Sequence, residues 1–157
     1  MREIPVRLLR PAARLPRRAY EHDAAFDLCA AVDVTLPPQR RESVPTGIAL
    51  GLPPDVAGLT LPRSGLASRH GITVVNAPGL IDPGYRGEIE VILLNTDLER
   101  PFAVAAGDRI AQLLFLTLSD LRLVVAERLD DTERGVRGFG SSDSPEGTPA
   151  GRPEAPR

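Results

Sequence analysis

Short stretches in which apolar and polar residues alternate, each closed by Pro, Gly, Asn or Asp, recur along the chain. A period of two marks a half-buried strand. Residues 4–9, 32–36, 41–50, 56–61, 102–104, 110–118 and 121–129 each predict a strand on this ground. The longest patterned stretch is 71–95, GITVVNAPGLIDPGYRGEIEVILLN. In it Ile72, Val74 and Val75 are β-formers, and Asn76, Pro78 and Gly79 punctuate. Further on, Ile89, Val91 and Leu93 alternate with Glu88, Glu90 and Ile92. Between the two runs lies Asp82-Pro83-Gly84-Tyr85-Arg86-Gly87, so the stretch predicts a strand, a tight turn and a second strand. Residues 62–69, PRSGLASR, support one or two helical turns with Ser64 as N-cap. About nine or ten short strands with almost no helix predict an all-β sandwich or closed barrel. No internal repeat is present.

Composition narrows the class. A length of 157 residues suits one domain with a core of moderate size. The 14 Gly and 16 Pro favour turns and short strands over long helices. A net charge of −2 gives no global reason to bind a nucleic-acid backbone, so no direct nucleic-acid partner is expected. All 19 basic residues are Arg, which excludes a lysine Schiff base and a P-loop lysine. Cys29 is the sole cysteine, so no intrachain disulfide can form and a reducing, cytoplasmic setting is expected. The Arg-rich beginning carries no long apolar run and does not resemble a secretory signal, and no window approaches a membrane span. His22 and His70 are too far apart in sequence to suggest a histidine metal centre and are expected in loops.

Several polar residues sit where apolar ones would be simpler. The turn places Asp82, Tyr85 and Arg86 near Asn76 on a rigid support, either as a site or as an ordinary solvated turn. Asp27 interrupts the apolar run of residues 24–31, AAFDLCAA, as a hydrogen-bonded strand terminus or as a carboxylate aimed into a site. Arg63 and Ser64 begin the helical stretch, as a capped surface turn or an anion site. Gln112 lies in an apolar strand, on a wet face or in a site. Residues 134–142, RGVRGFGSS, can wrap an anion with backbone N–H groups, Arg and hydroxyls, and have too little apolar surface to fold alone. Residues 143–157 read as a disordered Pro-rich tail.

These stretches, taken in order, resemble the motifs of the trimeric deoxyuridine triphosphate nucleotidohydrolases, the dUTPases. AAFDLCAA is similar to the first, PRSGLA to the second, Asn76 with GLIDPGYRGE to the third, GDRIAQL to the fourth and residues 134–142 to the fifth. Ala25, Arg137 and Asp143 stand where Gly is usual. Ala25 is harmless if its φ is negative. Arg137 either adds a phosphate contact or limits closure of the segment.

The resemblance implies a jelly-roll-like β-barrel with one short helix, assembled as a homotrimer with sites shared between subunits. It implies a barrel domain over residues 1–130, a flexible arm over 131–142 that closes over a neighbour's site, and the tail beyond. The implied reaction is hydrolysis of dUTP with Mg²⁺ to dUMP and pyrophosphate, which limits uracil in DNA and supplies dUMP for thymidylate synthesis. Asp82 is expected to orient the attacking water, and Tyr85 to lie under the sugar. Asn76 and the backbone at Leu80, Ile81 and Glu90 are expected to read uracil. Asp27 is expected to hold Mg²⁺ through water. Arg63, Ser64, Gly65 and Gln112 take phosphate oxygens, joined from the arm by Arg134, Gly140, Ser141 and Ser142, with Phe139 stacking on the base. Arg86 and Glu88 are expected to form a structural ion pair. The alternatives are a dCTP deaminase, whose family lacks the PRSGL and Tyr-Arg-Gly-Glu elements, a catalytically silent nucleotide-binding protein on the same barrel, and a purely structural β-domain.

Overall fold

The computed structural model describes residues 3–137. Among them lie eleven strands and one helix. In chain order these are β1 (Val6–Leu8), β2 (Phe26–Cys29), β3 (Val34–Leu36), β4 (Arg41–Pro45), β5 (Ile48–Leu50), β6 (Val56–Leu61), α1 (Ser64–His70), β7 (Ile72–Val74), β8 (Gly79–Ile81), β9 (Glu90–Asn95), β10 (Phe102–Val104) and β11 (Arg109–Thr117). All belong to a compact unit that ends at Asp120. The described part of the second unit, residues 121–137, has turns and bends only.

Two sheets carry the architecture, one of four strands ordered β2-β11-β6-β8 and one of three ordered β4-β9-β7, with the pairs β1-β5 and β10-β3 beside them. Every pairing is antiparallel. Alternation along β9 buries Val91, Leu93 and Asn95 and turns Glu90 outward. Inward residues of the sheets, among them Leu28, Leu36, Val44, Ile48, Ile72, Val91, Leu93, Ile110 and Leu113, form one apolar cluster. Asn95 is fully buried in this setting, and its amide donates to the carbonyls of Leu36 (3.1 Å) and Arg100 (2.8 Å) while its oxygen accepts the Asp97 N–H (3.0 Å). Every bond it needs is made, so a polar side chain ties the ends of β3 and β9 together.

Several sequence expectations change. Residues 71–95 do not make a single hairpin. β7 and β9 do pair, with Ile72 opposite Asn95, but between them the chain leaves the sheet and lays β8 against β6 of the other one. The turn over residues 82–87 therefore joins two sheets. Residues 41–50 split into β4, which pairs with β9, and β5, which pairs with β1; between them the Thr46 N–H and hydroxyl both reach the Ile89 carbonyl (3.1 and 2.6 Å). Ser64 is the first residue of α1. The N-cap is Arg63, and no side chain caps the helix. His70 is not in a loop: it ends α1, with its ring centroid 5.1 Å from that of Phe102. Residues 121–129 form no strand. Their alternation is real, yet Leu121, Leu123, Val125 and Leu129 are at least four-fifths exposed and no ladder partner lies beside them among the described residues. The backbone at Ala25 is unstrained, since Gln39 is the one described non-Gly residue with positive φ.

Candidate active site

A cavity of about 570 Å³ lies between β8, the turn after it and the start of β9. Asn76, Leu80, Ile81, Asp82, Tyr85 and Glu90 all line it, with Ser43 and Thr60. Sheet geometry explains why it is polar. β8 is the terminal strand of its sheet, so its outer backbone groups have no ladder partner. β7 flanks β9 only from Leu93 onward, apart from one bond from the Val75 N–H to the Ile92 carbonyl (2.9 Å). The backbone at Glu90 is open on that side. Two uncovered strand edges thus face a slot of a size that suits a small molecule.

The turn is ordered by its own bonds. The Tyr85 N–H donates to the Asp82 carbonyl (3.0 Å), and the Tyr85 hydroxyl donates to the Glu88 carbonyl (2.9 Å). Any side chain on Gly87 would run into the Tyr85 ring, which packs against that glycine. The Arg86 guanidinium donates to the carbonyls of Pro83 (2.6 Å) and Tyr85 (2.8 Å) and makes no pair with Glu88, against expectation. The partner of Glu88 is Arg10, bound through two bonds of 2.7 and 2.8 Å, with the Gly47 N–H adding a third at 2.8 Å. The Arg10 guanidinium holds the Glu88 carboxyl below its ordinary pKa. Ser43 donates to the Glu90 carboxylate at 2.5 Å on the cavity wall.

A second cluster surrounds Asp27. This carboxylate is nearly buried in the middle of β2, not at its end. Arg109 Nη1 donates to Oδ2 at 3.1 Å, and Arg63 Nε stands 3.5 Å from Oδ1. Arg63 in turn donates to the Arg109 carbonyl (2.9 Å). A register shift in β11 between Arg109 and Ala111 marks a bulge at the point where Arg109 meets Asp27. Gln112, half-buried, pairs with Asp27 in the ladder. Ser64 and Gly65 follow Arg63 at the start of α1. A cavity of about 410 Å³ adjoins the cluster, lined by Arg14, Leu15, Arg17, Asp27 and Cys29.

Among the described residues no group of three or more His, Cys, Asp or Glu side chains could cage a metal ion. Asp27 is the carboxylate of its cluster, ion-paired with Arg109 (3.1 Å) and more loosely with Arg63 (3.5 Å). That single carboxylate fits a hydrated cation held through ordered waters and does not fit a direct protein cage.

The two clusters share no lining residue. Asp27, Gln112 and Leu61 lie side by side on β2, β11 and β6, with β8 next in the sheet. Three strand spacings of about 4.8 Å separate Asp27 from β8 by roughly 14 Å. The expected site residues are therefore brought together as two groups, not one. Arg134 lies in the second unit, where its Nε donates to the Arg137 carbonyl (3.1 Å). Phe139, Gly140, Ser141 and Ser142 lie outside the described residues. Sequence reading missed Arg109 as the partner of Asp27, although a carboxylate in an apolar strand demands a nearby cation. It also missed Arg10 and Ser43, which carry no local signal.

A profile of the dUTPase family matches residues 12–143. The chain is 53% identical over 131 residues to the deoxyuridine 5'-triphosphate nucleotidohydrolase of Leifsonia xyli subsp. xyli (strain CTCB07), covering 83% of this chain and 86% of that one. It is 51% identical over 139 residues to the enzyme of the same name from Thermobifida fusca (strain YX), covering 88% and 78%. Among solved structures, the Staphylococcus bacteriophage 80alpha dUTPase with dUPNHPP superposes with a TM-score of 0.84 at 28% identity, covering 90% of this chain and 99% of that one. The D95N mutant dUTPase of phage phi11 of S. aureus, described as coordinating a structural Mg(II) ion, superposes with a TM-score of 0.77 at 25% identity, covering 83% and 100%. The profile, the relatives and the shared fold agree, and this chain belongs to the dUTPase family.

Proposed function

We infer that the slot between β8 and β9 takes the deoxyuridine part of dUTP and that the Asp27 cluster takes the triphosphate of a nucleotide bound to a neighbouring copy. As a dUTPase the chain hydrolyses dUTP to dUMP and pyrophosphate. The observation that carries the residue-level reading is the slot itself, where two free strand edges, the Asn76 amide, the Tyr85 phenol and the carboxylates of Asp82, Glu88 and Glu90 line a single cavity. Backbone N–H and C=O groups at Leu80, Ile81 and Glu90, with the Asn76 amide, suit the polar edge of uracil. A base with the wrong donor pattern leaves a desolvated group unpaired. The Tyr85 ring forms the floor under the sugar and excludes a 2′-hydroxyl.

Asp82 accepts a proton from the attacking water and bonds the 3′-hydroxyl. As the new O–P bond forms at the α-phosphorus, the bond to the bridging oxygen breaks and pyrophosphate leaves. Arg63, Ser64, Gly65 and Gln112 supply donors to phosphate oxygens, and Arg134, Phe139, Gly140, Ser141 and Ser142 close over the nucleotide from an arm. Mg²⁺ neutralises phosphate charge when bound, and Asp27 holds it through metal-bound waters. Arg63 and Arg109 hold that carboxylate in its orientation.

The chain assembles as a homotrimer of closed barrels. Two features support this. The site residues fall into two clusters too far apart to serve one substrate group, and residues 121–129 carry a strand pattern that finds no partner among the described residues. Product analysis tests the reaction, with dUTP converted to dUMP and pyrophosphate and weak turnover of dCTP, dTTP and UTP. Asp82→Asn is expected to lower kcat by about 10²-fold or more, the scale of a lost general base, with dUMP binding little changed. A near-normal kcat removes Asp82 from the water-orienting role.

A further inference from the structure

The Arg10 pair with Glu88 has no place in the chemistry above, yet it is built with care. Two guanidinium N–H groups meet both carboxylate oxygens, and the Gly47 N–H meets one of them. Fork-to-fork pairing fixes direction as well as distance. The side chain of Glu88 is thus held at three points by two segments, one preceding β2 and one between β4 and β5. The main chain of the same residue receives the Tyr85 hydroxyl at 2.9 Å. Tyr85 has few other restraints. Its ring is about half exposed and leans on Gly87, which has no side chain to grip it. Its hydroxyl bond to Glu88 is therefore the fixed point at the far end of the ring.

We propose that Arg10 is a positioning residue for sugar discrimination: by pinning Glu88 it fixes the carbonyl that anchors the Tyr85 hydroxyl, and so holds the ring rigid beneath the deoxyribose. The proposal rests on Tyr85 being the sugar floor. A floor that is free to tilt yields to a 2′-hydroxyl, whereas a pinned one rejects it. Arg10 lies outside the slot and touches no part of the proposed substrate. Its loss therefore acts on selectivity, while Asp82 and the uracil-reading edges stay in place. An exposed pair adds little to stability, so a fold-wide effect is not expected.

The test compares kcat/KM for dUTP and UTP in the full-length protein and its variants. Arg10→Ala is expected to lower the dUTP-to-UTP ratio about three- to tenfold, the scale of one ordering hydrogen bond, with kcat for dUTP within about twofold of wild type. Arg10→Lys keeps the charge but cannot pair through two bonds, and falls between. Tyr85→Phe keeps the ring and cuts the link. It should reproduce the loss, and Arg10→Ala should add nothing to it. A wild-type ratio in Arg10→Ala or Arg10→Lys overturns the proposal, as does full additivity with Tyr85→Phe. Tyr85→Ala separates the two readings. If it leaves the ratio unchanged, Tyr85 is not the sugar floor and both fall. If it collapses the ratio while the Arg10 variants keep it, the positioning role alone falls. Should Arg10→Ala fail to fold, Arg10→Lys decides.

Discussion

Glu88 shows how much of a site can depend on a partner far away in sequence. A reading confined to the turn pairs it with Arg86, two residues off, but the Arg86 guanidinium is occupied by carbonyls of its own turn. Arg10 wins because it reaches both carboxylate oxygens at once. The consequence for pH has a definite sign. Arg10, and after it the Gly47 N–H, hold the folded-state pKa of Glu88 below its ordinary value of 4.5. A depressed carboxylate stabilises the fold above its unfolded pKa, and that contribution is lost as pH falls through the folded value. Glu88→Gln should therefore be slightly less stable than wild type near neutral pH and equal to it at the acid end, the small gap expected of a partly exposed pair. Urea midpoints measured across that range check this, and a constant gap between the two proteins refutes it. Asp27 was legible as an anomaly, since an Asp in an apolar run must be answered. Which cation answers it was not, because Arg109 is 82 residues away and only the ladder between β2 and β11 joins them.

The strands were legible wherever alternation was enough to choose a face. β6 and β10 run over the stretches expected, and the one helix occupies the expected segment. The failures share one cause: strand pattern reports burial, not the identity of the neighbour. β8 is three residues long and reads from sequence as part of a turn, yet it supplies a wall of the candidate slot. It reaches β6 because Gly79 lets the backbones close. A Cβ at Gly79 would overlap the Thr60 hydroxyl and stand 3.1 Å from the Asn76 amide. Gly79→Ala should therefore push β8 outward and disturb Asn76 together with it. Binding of dUMP is expected to weaken about tenfold or more, with melting lowered by a few degrees, the usual range for overpacking. Unchanged affinity, read by calorimetry, would show that β8 does not form the base wall. Residues 121–129 are the opposite case. Their pattern is strong, yet they form no strand among the described residues.

For the whole molecule, the main lesson is the roughly 14 Å between the Asp27 cluster and the slot at β8, two halves carried on one sheet. Composition gave no hint of it, whereas the resemblance carried by the ordered motifs implied sites shared between subunits without saying which residues form each half. In the proposed ring of three, each complete site would draw one half from a chain and the other from its neighbour. That arrangement has a genetic reading. Take one allele that loses the slot through Asp82→Asn and a second that loses the phosphate half through Arg63→Ala. Neither alone is expected to hydrolyse dUTP at a normal rate. Expressed together in equal amounts, they assemble at random, and about three-quarters of the trimers are mixed. Each mixed ring, whichever allele is in excess, has one junction where an intact half faces an intact half, so total activity should return to about a quarter of normal. Two broken copies of the gene would then rescue one another, while either copy doubled would not.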